Sequence, residues 1–321
     1  MKELDIISGL KNSFPQLSGA SLGIGDDCAY LKELGVLITT DTLVAGVHFL
    51  PDKVDYHLLG RKLISVSLSD IASMGGAPSY VTLNFNIPEG FSEENLNSLS
   101  QGIKEVSQEA GVKVIGGDTV RSGELSISAT LIGSAPQKPI FRAGAKPGAD
   151  IWVSGPLGYS ALGLQIEMNK LEFELSQEDR ASALKRFNNP SAQIELGQTL
   201  ANEELALSMI DISDGLLTDL DKLLAKEALG AELDLENIPR AAPQDQTLSS
   251  ALGGGEDYQL LFTAKTQNRA ALESLPLKPY RIGHITGSGI LRLKIEEEVL
   301  ELAEAEEKLK ISIKKGFEHN F

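Results

Sequence analysis

Apolar residues along the chain recur in two rhythms, one helical and one alternating. MKELDIISGLKNSF spaces them as an amphipathic helix, and GVLITT is a short β-branched strand that closes at Asp41. DYHLLGRKLISVSLSDIASMGG has helical length and is stopped by Gly75 and Gly76, with Pro78 beyond. SYVTLNFNIP alternates and predicts a strand ending at Pro88. SEENLNSLSQGIKEVSQEAG predicts an amphipathic helix with Ser92 as N-cap and Gly111 as terminator. VKVIGG is a strand that runs into a turn at Asp118, and ELSISATLIGSA is another strand. Up to about residue 135 the order is β, α, β, α, β, β after the first helix, an α/β or α+β pattern.

Residues 136–150, PQKPIFRAGAKPGAD, are rich in Pro, Gly and Lys and mark a domain boundary, giving domains 1–136 and 137–321. Beyond it, IWVSGPLG reads as a strand and turn, and SALGLQIEMNKL as a helix within a helical region reaching about Asn202. SMIDIS and AELDLENIP are strands around a helix, DGLLTDLDKLLAKEALG. ALGGGEDYQLLFTA is a glycine loop feeding a strand, and RIGHITG is a strand after a polar helix. The charge-dense EEEVLELAEAEEKLK suits a solvated helix face or a hairpin.

Composition narrows the class. A 42% hydrophobic fraction over 321 residues suffices for two cores. A formal net charge of -16 repels nucleic acid and anionic membranes, so neither is an expected partner. No apolar run approaches the ~20 residues of a membrane span. The first residues carry acids early, unlike a signal peptide, so a cytoplasmic location is expected. The single cysteine, Cys28, leaves no internal disulfide and no cysteine-based zinc site, and reads as a small buried residue beside Asp27.

P-loop, HExxH and nucleophile-elbow motifs are absent, and none of the four histidines pairs with another at metal spacing. Carboxylates remain. They fall in GDD (Asp26, Asp27), TTD (Thr39, Thr40, Asp41), SLSD (Asp70), GGDT (Gly117, Asp118) and DISDG (Asp211, Ser213, Asp214), each flanked by apolar runs or glycines. Taken singly, each has an ordinary reading: an Asp-rich turn, a strand-end cap, or an N-cap at Ser213 or Asp214. Asp70 is harder to explain away, because it interrupts the apolar pattern of Leu63, Ile64, Val66, Leu68 and Ile71. Buried carboxylates need a shared counter-charge, so together they suggest a site for several hard divalent cations. The hydroxyls of Thr39 and Thr40 could add neutral oxygens, and the GGDT glycines an anion nest.

GIGDDCAYL, ITTDTLVAGVHF, GRKLISVSLSDIASMGGAP, VIGGDT, RAGAKPGADIWVSGPLGYSALGL, MIDISDGLLTDL and LGGGEDYQLLF stand in one order from about Gly23 to His284. Together they closely resemble the thiamine-monophosphate kinase family of the aminoimidazole-ribonucleotide-synthetase-like ATP-binding superfamily. VAGVHF combined with GGEDYQLLF separates this family from its relatives. The resemblance implies a two-domain α/β (α+β) fold, with an N-terminal sheet pairing across a homodimer and a C-terminal α/β domain. It implies direct in-line phosphoryl transfer from ATP to thiamine monophosphate, with several Mg²⁺ and no phosphoenzyme. It assigns Mg²⁺ to Asp27, Thr39, Thr40, Asp41, Asp70, Asp118, Asp211 and Asp214. Gly117, Asp118, Arg142 and Ser213 would line the nucleotide phosphates, and His48, Glu256 and Phe317 would contact substrate. Phe317 stands where relatives carry a tryptophan, and Ser100 near a position where they place an aromatic against the nucleotide. The acceptor phosphate is largely ionised at neutral pH, so no general base is expected. Two other classes stand beside this one. A sister activity such as selenophosphate synthesis would need a reactive cysteine beside a lysine, a setting Cys28 lacks. A non-catalytic sensor of nucleotide or thiamine phosphate would not need so many carboxylates.

Overall fold

The computed structural model describes residues 3–14, 17, 21–242 and 244–311, so Phe317 lies outside the described residues. After helix α1 (Glu3–Ser13), the first half of the chain builds a five-stranded sheet from β1 (Ala29–Leu31), β2 (Val36–Val44), β3 (Ala77–Pro88), β4 (Lys113–Ser122) and β5 (Ser126–Ser134). Its order is β1-β2-β5-β3-β4, antiparallel except for the β3–β4 pair. Helices α2 (Tyr56–Ser73) and α3 (Glu93–Glu109) connect the strands and pack together on one face. Their caps are sequence-local: Asp55 accepts from the His57 and Leu58 N–H groups, and Ser92 accepts from Asn95 N.

The second half forms a seven-stranded sheet, from β6 (Asp150–Val153), β7 (Ala206–Asp211), β8 (Gly230–Asp234), β9 (Leu260–Ala264), β10 (Tyr280–Thr286), β11 (Leu291–Ile295) and β12 (Glu298–Glu301). The order is β12-β11-β8-β10-β6-β9-β7, with only β8–β11 parallel. Helices α4 (Tyr159–Glu167), α5 (Gln177–Asn188), α6 (Ile194–Asn202), α7 (Leu216–Leu224), α8 (Gln244–Gly253), α9 (Arg269–Glu273) and α10 (Leu302–Leu309) complete it. The charge-dense stretch is both things at once: β12 closes a hairpin with β11, and α10 follows.

Two strands run further than their sequences suggest. β2 continues through Asp41 to Val44, because Asp41 pairs with Ala129 in the middle of the β2–β5 ladder. β4 passes through Gly116, Gly117 and Asp118 without turning, paired in parallel with Thr82, Leu83 and Asn84. A Cβ on Gly117 would stand 1.8 Å from the Leu83 carbonyl oxygen. The glycine there serves close strand approach rather than a turn.

α2 is the element that relates the two halves. It is buried on nearly every side, with Leu63, Ile64, Leu68 and Ile71 in the core of the first sheet. Its Ala72 instead belongs to a cluster with Trp152, Leu196, Leu200, Met209 and Phe262 from the second half. A helix buried on nearly every side is expected only where it packs between layers, and Asp70 stands at the seam between the two halves.

Candidate active site

Asp27 follows a glycine turn before β1, Asp70 lies in the last turn of α2, and Asp211 ends β7. The fold brings one carboxylate oxygen from each within 4.8 Å of the others. Asp41 joins them from β2, close enough that its charge raises the proton affinity of Asp70. Thr39, two residues earlier on the same face of β2, donates its hydroxyl to Asp70 Oδ2. Ser69 Oγ donates to Asp211 Oδ2 at 2.7 Å, tying α2 to β7 across the seam. Oδ2 of Asp27 and Oδ2 of Asp41 are buried and make no hydrogen bond of normal geometry, nor does the Ser67 hydroxyl, although it lies near enough to Asp41 to favour its ionised form.

The electrostatics of this cluster are strained. Burial first, and then the charges of Asp41, Asp211 and Asp27, push the Asp70 carboxyl well above the usual carboxylate range. Asp211 is pushed up by burial and by Asp27, and Asp41 by burial and by Asp27. Arg142 is the internal cation that partly offsets them. Its Nε donates to Asp27 Oδ1 at 3.0 Å, its Nη2 donates to the same oxygen, and its backbone N–H donates to Asp26 Oδ2 at 3.1 Å. Burial opposes the guanidinium charge, but Asp27 and Asp26 outweigh it and raise its proton affinity. Asp26, one of the GDD carboxylates but given no role by the family resemblance, is itself pushed up to about 7 by burial and by Asp27. Only its place in the GDD motif signalled it.

Other expected residues stand apart from the cluster. Thr40 alternates to the opposite face of β2 and shares a 3.0 Å hydrogen bond with Thr130. Gly117 and Asp118 lie on the exposed β4 edge, where Asp118 Oδ1 accepts from Thr119 N. Asp214 is ion-paired with Lys222, which also holds Asp219. Neither Ser213 nor Asp214 caps α7. Asp219 does so from inside the helix, accepting from the Asp214 and Gly215 N–H groups. Ser100 is exposed on α3.

Cys28 is buried, its S–H donating to the Asp70 carbonyl at 3.2 Å. Burial and the neighbouring aspartates push the thiol well above its usual value, so it is unreactive.

The GGEDY loop lies along the Ile212–Ser213 turn. Glu256 N donates to Ser213 O at 2.7 Å and Tyr258 N to Ile212 O at 2.8 Å. Glu256 and Tyr258 both adopt left-handed backbone, with φ of 63° and 49°. Such strain in non-glycine residues persists only where the surroundings impose it. Between them, buried Asp257 accepts from Gly158 N at 2.6 Å and Ser160 N at 3.3 Å, capping α4. Glu256 is thereby aimed at Lys62 of α2, 3.1 Å away. His48, whose Nδ1 accepts from Val44 N, lines a recess with Lys62 and Phe187. Sequence reasoning passed over Lys62 and Phe187.

Comparison with known proteins agrees with this architecture. Residues 25–135 match the AIR synthase related protein N-terminal domain, and residues 146–296 match the C-terminal domain. The thiamine-monophosphate kinase of Escherichia coli K12 is 42% identical over 262 residues, covering 78% of this chain and 79% of that protein. The same-named protein of Buchnera aphidicola subsp. Schizaphis graminum is 35% identical over 99% of this chain and 98% of its own length. The structure of AaThiL complexed with AMPPCP and TMP superposes with a TM-score of 0.80 at 28% identity, over 94% of this chain and 97% of that one. The chain belongs to the thiamine-monophosphate kinase family of AIR-synthase-related proteins.

Proposed function

We propose that this protein transfers the γ-phosphoryl group of ATP to thiamine monophosphate, giving thiamine diphosphate and ADP. The observation that carries the reading is the convergence of Asp27, Asp41, Asp70 and Asp211, with unpartnered buried oxygens on Asp27 and Asp41. Orphaned hard oxygen donors in a negative cluster suit Mg²⁺, so the residues fit the metal. Mg²⁺ bound there would neutralise charge on the transferring phosphoryl group. Thr39 orients Asp70, and Ser69 orients Asp211, so two ligands are held by hydroxyl donors before any ligand arrives. Arg142 presents a planar fork beside the cluster, suited to the nucleotide phosphates. The same reading assigns Thr40, Asp118 and Asp214 to further cations, Gly117 and Ser213 to the nucleotide, and His48 and Glu256 to the substrate. Because the acceptor oxygen is already an oxyanion at neutral pH, the chain has to position two polyanions and needs no base. A coupled assay with ATP, Mg²⁺ and thiamine monophosphate, with the product identified by mass, tests this. Thiamine diphosphate should form only when Mg²⁺ is present; folded protein that binds ATP without making product would reject the reading.

The division into 1–136 and 137–321 is part of the proposal, supported by each sheet drawing its strands from one side of that boundary. So is a cytoplasmic location; among the described residues no helix is long and apolar enough to cross a membrane. A homodimer belongs to it too. β4 is an open edge, exposed on both faces, and carries Val114, Ile115 and Val120 at about half exposure. An apolar edge strand is a template for pairing, and a second copy is the partner that a closed assembly supplies. Light scattering should give twice the chain mass, and a monomer at micromolar concentration would contradict it.

A further inference from the structure

Lys62 lies about two helical turns before Asp70 on α2, with a side chain 4% exposed. Its ammonium reaches both oxygens of Glu256 at 3.1 Å and stands 4.7 Å from the centroid of the Phe187 ring. The three come from separate parts of the chain: α2, the strained GGEDY loop and α5. A carboxylate and an aromatic face converging on one point make a cage for a cation. The cation in that cage is the chain's own Lys62.

A buried ammonium is tolerated only while it is paired. Lys62 therefore cannot simply leave Glu256; it needs a replacement anion. Thiamine monophosphate carries both things the exchange requires: a flat cationic ring for the cage and a phosphate for the displaced ammonium.

We propose that Glu256 and Phe187 form the cage for the substrate's thiazolium, and that Lys62 holds this place until substrate arrives and then passes to the substrate's phosphate. The inference rests on the thiamine-monophosphate reading above and adds Phe187 and Lys62 to the residues that recognise the substrate. The swap leaves both Lys62 and Glu256 with a counter-ion. One pair, the buried ammonium with a carboxylate that is 26% exposed, becomes two, thiazolium with carboxylate and ammonium with phosphate. It is also selective by penalty. A phosphate ester without a cation would draw Lys62 away and leave Glu256 unpaired. A cation without a phosphate would strand Lys62. The penalty is heavier for the stranded Lys62, which is buried, than for Glu256, which keeps some contact with water, and rejection by an unpaired buried charge is stronger than rejection by shape alone.

The test is calorimetric binding by the full-length protein, with turnover measured alongside. Three probes are used: thiamine monophosphate, its neutral isostere with a thiophene in place of the thiazolium, and unphosphorylated thiamine. Wild type should bind the isostere at least about tenfold more weakly than thiamine monophosphate. Phe187→Leu should lose roughly tenfold for thiamine monophosphate and little for the isostere, with the KM for ATP unchanged. Lys62→Met keeps the apolar stem and frees Glu256. It should weaken thiamine monophosphate binding and strengthen binding of unphosphorylated thiamine, a gain that a merely structural lysine would not give. If Lys62→Met loses affinity for both, or Phe187→Leu weakens both rings equally, the proposal is overturned. Should a variant not fold, the wild-type comparison of charged and neutral rings decides it alone. Wild type that phosphorylates thiamine monophosphate but binds both rings equally overturns the cage and leaves the function intact. Wild type that neither binds nor phosphorylates thiamine monophosphate overturns both.

Discussion

Asp70 shows at one residue how the fold carries a cost for the site. It is surrounded by Asp27, Asp41 and Asp211, and its ionised form is disfavoured by burial before any of them is counted. Replacing it with Asn keeps the shape and keeps an acceptor for the Thr39 hydroxyl, while removing the charge. Asp70→Asn should therefore melt at the same temperature as wild type, or higher, when both are metal-free. Its turnover should fall by a hundredfold or more, about what losing one electrostatic stabiliser costs. Thermal melts in chelator beside the kinase assay check this, and near-wild-type turnover would remove Asp70 from the machinery. Asp70 was legible in the sequence because a carboxylate breaks an apolar helical run. Lys62 was not, since a lysine in a helix reads as a snorkelling surface charge until the fold closes a second element over it. Phe187 was hidden for the parallel reason that an aromatic at helical spacing reads as core.

Among the elements, α2 decides whether the candidate site can form, since it supplies Ser69 and Asp70, and the proposed Lys62, and touches both sheets. Its position is set by close backbone approach. A Cβ on Gly60 would stand 2.1 Å from the Leu99 carbonyl of α3, and one on Gly102 of α3 would stand 1.9 Å from the His57 carbonyl. On the other flank, a Cβ on Gly197 of α6 would meet the Ala72 carbonyl at 2.1 Å. Gly60→Ala raises intrinsic helix propensity but forces α2 and α3 apart, and the steric effect wins. It should destabilise by roughly 1–3 kcal/mol, read from urea denaturation. A neutral or stabilising result would mean that the two helices can slide without cost. Helices α2 and α3 were legible almost to the residue, α2 through the glycines that end it and α3 through its Ser92 cap and Gly111. β2 and β4 were under-read for one reason: Thr-Thr-Asp and Gly-Gly-Asp look like strand ends. Their ladder partners, Ala129 and Asn84, lie far away in sequence, so no local signal could show that pairing carries through the aspartates.

For the whole molecule, the carboxylate cluster ties proton binding to the joining of the two sheets, and on the proposed function would tie metal binding to both. Asp41, Asp70 and Asp211 all hold protons more tightly folded than unfolded, because of burial first and like charge second. Above the ordinary carboxylate value of 3.8, the folded state then binds more protons than the unfolded state, so stability falls as pH rises. Asp26 and Asp257, each pushed up to about 7, act in the same direction and carry the window to neutrality. A metal held there would invert the trend, because it would take the ionised carboxylates and bind the folded state alone. Asp27, Asp41 and Asp70 belong to the first half and Asp211 to the second, so an ion held by all four would also join the halves. In chelator, the melting temperature should fall from about pH 5 to about pH 8. Saturating Mg²⁺ should raise it at every pH, by more at the alkaline end, until the slope flattens or reverses. The same titration on Asp70→Asn should show a shallower fall in chelator and a smaller Mg²⁺ gain. A Mg²⁺ gain that is constant with pH, or largest in acid, would mean that the ion binds groups other than these carboxylates.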